Sequence, residues 1–152
     1  MNKLIIREAT IKDRDKIVDF QLAMALETEN LQLDKNIVKK GVQGVFEKEG
    51  RGKYYVGEIN GEVISSLLTT YEWSDWRNGT ILWIQSVFVE QNHRGKGIFK
   101  TMYQHIKDLV LSDQSYNGIR LYVDKTNTGA QKVYTSLGMD GNHYDLYEWF
   151  GQ

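Results

Sequence analysis

Gln85-Ser86-Val87-Phe88-Val89-Glu90-Gln91-Asn92-His93-Arg94-Gly95-Lys96-Gly97-Ile98-Phe99 reads as a strand that runs into a glycine-bearing turn and then into a helix. The strand is predicted over Ile81–Val89, where β-branched and aromatic residues are dense. The helix follows from Ile98, Met102, Ile106 and Leu109, which recur on one helical face. Gly95 and Gly97 permit a close backbone approach where the first amides of a helix lack partners, and Arg94 and Lys96 add positive charge. Such amides can cradle a pyrophosphate. The same residues also read as a solvated basic turn. A Walker loop would end in Gly-Lys-Ser or Gly-Lys-Thr, and the dinucleotide fingerprint spaces its glycines differently.

Upstream of this stretch, Lys3 to Glu8 reads as a strand, and Thr10 to Asp13 as a turn and cap for a helix carrying Ile17, Phe20 and Met24. A second amphipathic helix is predicted over Asp34 to Lys48. Tyr54-Tyr55-Val56 and Val63 to Leu68 flank Asn60-Gly61, the signature of a β-hairpin. Downstream, Ile119, Leu121 and Val123 alternate as a strand, and Ala130, Val133, Tyr134 and Leu137 form the stripe of a short helix that Gly138 stops. His143 to Phe150 is predicted as a terminal strand. Antiparallel strands first and strand-helix units later make an α/β fold, with a mixed central sheet and helices on both faces.

Composition sets limits on function. A chain of 152 residues fits one domain, 1–152, and has no low-complexity linker to mark a second. Nineteen Lys and Arg stand against 20 Asp and Glu, a net charge of -1, which excludes a strongly basic nucleic-acid binder and an acidic disordered tail. Without cysteine there is no disulfide framework or thiolate nucleophile, and three scattered histidines form no metal motif, so no metal is expected. The missing cysteines fit a cytoplasmic protein. Met1 to Arg14 does not read as a targeting segment, and no stretch is long and apolar enough to span a bilayer, so no membrane partner is expected.

On these residues the chain resembles the GCN5-related N-acetyltransferase (GNAT) superfamily. That family's cofactor loop has Arg or Gln, two residues, Gly, one residue, then Gly or Ala; here Arg94 and Gly97 match, and Phe99 replaces the last small residue. Gln85 to Val89, Asn127-x-x-Ala130-x-x-x-Tyr134-x-x-x-Gly138-Met139, and the opening Ile6-Arg7-Glu8-Ala9-Thr10 followed by Asp13 are also similar to the family. The resemblance implies acetyl-coenzyme A as cosubstrate. It would lie along the backbone of Val87, Phe88 and Val89, with its pyrophosphate on Arg94, Gly95, Lys96, Gly97, Ile98 and Phe99. Val87 and Val89 also read as core positions, since a strand can offer backbone to a ligand while burying side chains.

The resemblance further implies direct attack of an amine on the thioester, with Tyr134 donating a proton to the departing thiolate. A phenol of ordinary pKa about 10 is protonated at neutral pH, against about 8.5 for a thiol. Tyr134 also lies on the apolar stripe of its helix, so a structural role stays open. Asn127 matches a cofactor-binding position and reads equally as the helix cap. Because an attacking amine must lose a proton, acidic residues near the acceptor matter. Glu72 is the candidate water-assisted base. Glu27 and Glu29, following the first helix, are candidate attractors for a cationic amine, and all three also read as ordinary surface glutamates. Tyr71, Trp73, Trp76 and Trp83 are predicted as an apolar acceptor wall, or else as core or dimer surface. His93 can join the loop; His105 reads as a polar helix position.

The leading function is acetyl-coenzyme A-dependent acetylation of a small-molecule amine such as a polyamine. The alternatives are acetylation of a peptide or protein amine, a coenzyme A-binding regulator with weak transfer, and an interaction module. A homodimer is expected, because an exposed terminal strand edge at Tyr144 to Phe150 needs cover.

Overall fold

The structure, a computed structural model, describes residues 3–151. The chain divides into two compact units at Arg120/Leu121. The first unit contains β1 (Leu4–Glu8), a 3-10 turn at Ile11–Asp13, α1 (Arg14–Glu29), α2 (Lys35–Glu47), β2 (Lys53–Ile59), β3 (Glu62–Ser74), β4 (Gly79–Val89), a 3-10 turn at Gln91–His93, α3 (Ile98–Ser112) and β5 (Tyr116–Arg120). Its five strands lie in the order β1-β2-β3-β4-β5, antiparallel until the last pair, where β4 and β5 run parallel. The sheet is therefore mixed, as the order of elements in the sequence predicts.

The hairpin between β2 and β3 turns at Asn60 and Gly61 with φ of 53° and 78°, the pair of positive values that a two-residue turn with the sheet's own twist requires. Asp34 caps α2 by accepting from the amides of Asn36 at 2.8 Å and Ile37 at 3.3 Å. At the entry to α1, Asp13 accepts from both terminal guanidinium nitrogens of Arg7 on β1, Nη1 at 2.8 Å and Nη2 at 3.0 Å, and from the Thr10 amide at 2.8 Å. Glu58 on the neighbouring β2 completes this joint at 3.3 Å from Arg7. Desolvation pushes the Asp13 carboxyl up, but the bonds from Arg7 and Thr10 more than offset it and hold Asp13 below its ordinary range.

Strand alternation divides the apolar residues between two faces. Tyr54, Val56, Leu68 and Phe88 pack with Ile17, Val18, Phe20 and Val42, so α1 and α2 cover one face. Tyr55, with opposite alternation, meets the His105 ring of α3 at 5.6 Å, so α3 covers the other. His105 thus packs against the sheet as a helix residue. Ile17, Leu67, Ile84, Met102 and Ile106 are fully buried, each contributing about 1.5–3 kcal/mol relative to exposure.

Two strand expectations are corrected. The strand expected at Ile119 to Val123 instead covers Tyr116–Arg120, because pairing with β4 selects Tyr116, Gly118, Ile119 and Arg120 as partners. His143 to Phe150 forms no strand among the described residues; an alternating pattern alone does not make a strand without backbone pairing. The second unit, from Leu121, contains α4 (Thr128–Ser136), after which Gly138 takes φ of 90°.

Candidate active site

β4 changes character along its length. From Thr80 to Trp83 it pairs with β5, the last pair being Trp83 with Arg120. β4 continues to Val89, so among the described residues Ile84 to Val89 have no β5 partner on that side. On the β3 side, the register passes from Leu68 opposite Gln85 to Ser66 opposite Phe88, a bulge that sets Ser86 and Val87 against Leu67. Ser86 has φ of 54°, a left-handed conformation costing a non-glycine residue roughly 1–2 kcal/mol. Strain and an edge without a β5 partner thus coincide on the strand that the sequence nominates for the cofactor.

Past Val89 the 3-10 turn leads to Gly95 and Gly97, with φ of 73° and 76°. A Cβ at either would meet nothing within 4 Å, so the glycines are required for their dihedrals and not for space. Gly97 is the residue before α3, and its carbonyl accepts from the Thr101 amide at 3.1 Å, leaving the amides of Ile98 to Lys100 at the helix start. They are oriented to hold an anion, aided by the positive helix end. Phe99 lies on α3 with its ring 6.2 Å from Tyr103, one turn along the helix. Arg94 turns back to the strand: its Nε donates to the Val89 carbonyl at 2.8 Å, and its guanidinium lies 5.3 Å from the Phe88 ring centroid. Another Arg94 nitrogen donates to Glu27 at 2.8 Å. Arg94 therefore joins the loop to α1 and β4.

The acidic candidates separate. Glu27 and Glu29 do not follow the first helix but form its last turn. Glu27 is paired with Arg94, whereas Glu29 makes no salt bridge among the described residues. Glu72 accepts from the Trp83 indole N–H at 2.7 Å and from Arg120 at 2.9 and 2.7 Å. The indole N–H and then the guanidinium hold its carboxyl below the ordinary range, against a smaller desolvation effect.

The aromatic candidates divide between the two sheet faces. Along β3, Glu72 shares the α1 face with Leu68 and Thr70, while Tyr71 and Trp73 alternate to the α3 face. Trp83 lies on the face of Glu72, and Trp76 sits in the β3–β4 turn, 90% exposed. The four rings do not form one surface. A depression of about 380 Å³ lined by Arg14, Asn36, Lys39, Lys40 and Gln43 contains none of the expected site residues. Arg120, which sequence reading missed, lies 48 positions from Glu72, a separation at which only strand register could bring the pair together.

In the second unit, Asn127 caps α4, accepting from the Ala130 amide at 3.0 Å. Tyr134 is half-buried on α4, and burial raises its phenol above the ordinary value, so it stays protonated at neutral pH.

The family model for the acetyltransferase (GNAT) family matches residues 20–139. The structure is similar to that of a possible acetyltransferase from Clostridium difficile 630, with a TM-score of 0.90, 43% identity and 97% of each chain covered. The fold is shared with a ribosomal-protein-alanine N-acetyltransferase from Brucella melitensis biovar Abortus 2308, with a TM-score of 0.78, 14% identity, and 98% of this chain and 100% of that one covered. A curated relative is the spermine/spermidine N(1)-acetyltransferase of Bacillus subtilis (strain 168), 27% identical over 95 residues, 60% of this chain and 59% of that protein. The β4 bulge, the glycine turn at the start of α3 and the family match agree: this chain belongs to the GNAT family of N-acetyltransferases.

Proposed function

We propose that the protein transfers the acetyl group of acetyl-coenzyme A to the amine of a small metabolite, with a polyamine as the first acceptor to test. The observation that carries this reading is the stretch of β4 from Ile84 to Val89 that has no β5 partner, its Val89 carbonyl held by Arg94, leading through Gly95 and Gly97 to the amides that begin α3. Pantetheine fits the strand backbone near Val87 and Val89, and pyrophosphate fits the helix start. The amine lone pair attacks the thioester carbonyl, the C–S bond breaks, and coenzyme A leaves as a thiolate. The amine's proton passes to water, and Tyr134 donates a proton to the thiolate. What supports Tyr134 is its match to the family motif and a phenol that burial keeps protonated.

A polyamine is favoured by the activity of the Bacillus subtilis relative and by Glu29. Glu29 lies in the last turn of α1, where the helix end also attracts cations. Residues 1–152 act as a single catalytic domain in this reading, since the family match spans both compact units. A homodimer is supported by the exposed apolar tail, in which Tyr147 is 93% and Phe150 83% exposed. Molar mass by light scattering tests it: a monomer at assay concentration would defeat it. Among the described residues no helix is long and apolar enough to cross a membrane. The cytoplasmic location is tested by fractionation.

A mass-resolved assay with acetyl-coenzyme A against polyamines, amino acids, amino sugars, aminoglycosides and peptides tests the function. An acetylated polyamine is the expected product, and a peptide-only product would move the acceptor class to protein amines. Tyr134→Phe should lower kcat by about 10²-fold, the low end for lost general acid catalysis, with cofactor affinity unchanged. Undiminished turnover would remove Tyr134 from the chemistry. Saturable cofactor binding without transfer to any amine would favour a coenzyme A-binding regulator.

A further inference from the structure

We propose that Glu72, Arg120 and Trp83 form a strut across three strands that fixes where β4 and β5 part, making them positioning residues for the cofactor edge of β4. This rests on the reading that acetyl-coenzyme A lies along that edge.

The residues come one each from β3, β5 and β4, on a single sheet face. Arg120 reaches across β4 to both oxygens of Glu72, at 2.9 and 2.7 Å, and the Trp83 indole donates to one of them at 2.7 Å. Trp83 and Arg120 are also the last backbone pair before β4 continues alone. The side-chain tie therefore sits at the fork itself. The paired stretch is short, running from Thr80 to Trp83, and parallel pairing is slightly weaker than antiparallel. Without the tie, β5 would fray from its Arg120 end, and the start of the open edge would lose a fixed position. The side chains of Arg120 and Glu72 are only 30% and 34% exposed, so bulk solvent screens the pair less than it screens a fully exposed one.

The same geometry changes the role of Glu72. Its carboxylate oxygens already accept three bonds, and those bonds stabilise the ionised form, which makes it a poorer proton acceptor. Glu72 acts through Arg120 and Trp83 instead of taking a proton from the amine.

The test compares Glu72→Gln, Arg120→Met, Trp83→Phe and the Glu72→Gln/Arg120→Met double variant in the full chain. Acetyl-coenzyme A affinity is measured by calorimetry, with kcat, KM for each substrate and the pH–rate profile. Arg120→Met should weaken cofactor binding by about fivefold, the size expected for a partly exposed, hydrogen-bonded pair. Glu72→Gln should show the same direction, with its acid limb and acceptor KM retained. The double variant should be no worse than the weaker-binding single variant, since all act on one tie. Loss of turnover and of the acid limb in Glu72→Gln alone, with Arg120→Met like wild type, would overturn the strut and restore Glu72 as base.

Amide hydrogen exchange at Ile119 and Arg120 gives a readout that needs no cofactor. Exchange should speed up in Arg120→Met and, to a smaller extent, in Trp83→Phe, the mildest change should the others fail to fold. Unchanged exchange would overturn the strut. A wild-type protein that binds no acetyl-coenzyme A would defeat the functional reading, while faster exchange in the variants would still establish the tie.

Discussion

The two ends of β4 are built by different means. At the Val89 end, function rests on backbone: a bulge at Ser86, an edge without a β5 partner, and two glycines with positive φ before α3. At the Gly79 end, the important groups are side chains that meet across strands, Glu72 with Arg120 and Trp83. A backbone-built site needs particular dihedrals and tolerates many side chains. A side-chain cluster needs particular residues and the register that joins them. The two ends should therefore respond differently to substitution.

The largest effect tests the side-chain joint that ties β1 and β2 to the entry of α1. Asp13→Asn should cost about 2 kcal/mol at pH 7, because Arg7 loses its charged acceptor. Asp13 has a depressed folded-state pKa, so its contribution is present above the unfolded value near pH 4. It is lost as pH falls through the native value. Urea unfolding from pH 7 to pH 3 should show wild type and variant converging at the acid end. Parallel curves would mean that the carboxylate is not the source.

Next in size is a matched pair of backbone changes. Gly97→Val and Gly61→Val each force a β-branched residue to φ near 77°, given 76° and 78° in the structure, at a cost of roughly 1–2 kcal/mol. Both should lower Tm by similar amounts. Only Gly97→Val should also weaken acetyl-coenzyme A binding, by about tenfold for that strain. Equal affinities in the two variants would break the claim that the Val89 end works through its backbone.

The smallest effect belongs to Glu27→Gln. Its pair with Arg94 is about two-fifths exposed on each side, 41% and 43%, and such pairs contribute about 0–1 kcal/mol. Cofactor affinity should change less than fivefold and acceptor KM not at all. A rise confined to acceptor KM would return Glu27 to the amine site.

The same contrast explains what could be read in the sequence. Gly97, the Asn60-Gly61 turn and the Asp34 cap are each announced locally, because a positive φ or an unpaired helix amide selects particular residue types. The Ser86 bulge is silent, since serine carries no signature of left-handed backbone. Glu72 and Arg120 are far apart in sequence, and no local pattern pairs them. The two faces of β3 could have been separated by strict alternation, which puts Glu72 opposite to Tyr71 and Trp73. The His143 to Phe150 pattern fails for another reason: alternation describes a strand's faces, but a strand also needs a neighbour to accept its hydrogen bonds.

The central claim is that acetyl-coenzyme A occupies the open edge of β4 and the start of α3. The direct measurement is a titration of the isotopically labelled protein with acetyl-coenzyme A, following backbone amide resonances. Saturable shifts should concentrate at Val87, Val89 and Gly95 to Lys100, and stay small at Asn60 and Gly61. No saturable shift, or shifts centred away from β4 and the glycine turn, would contradict the account.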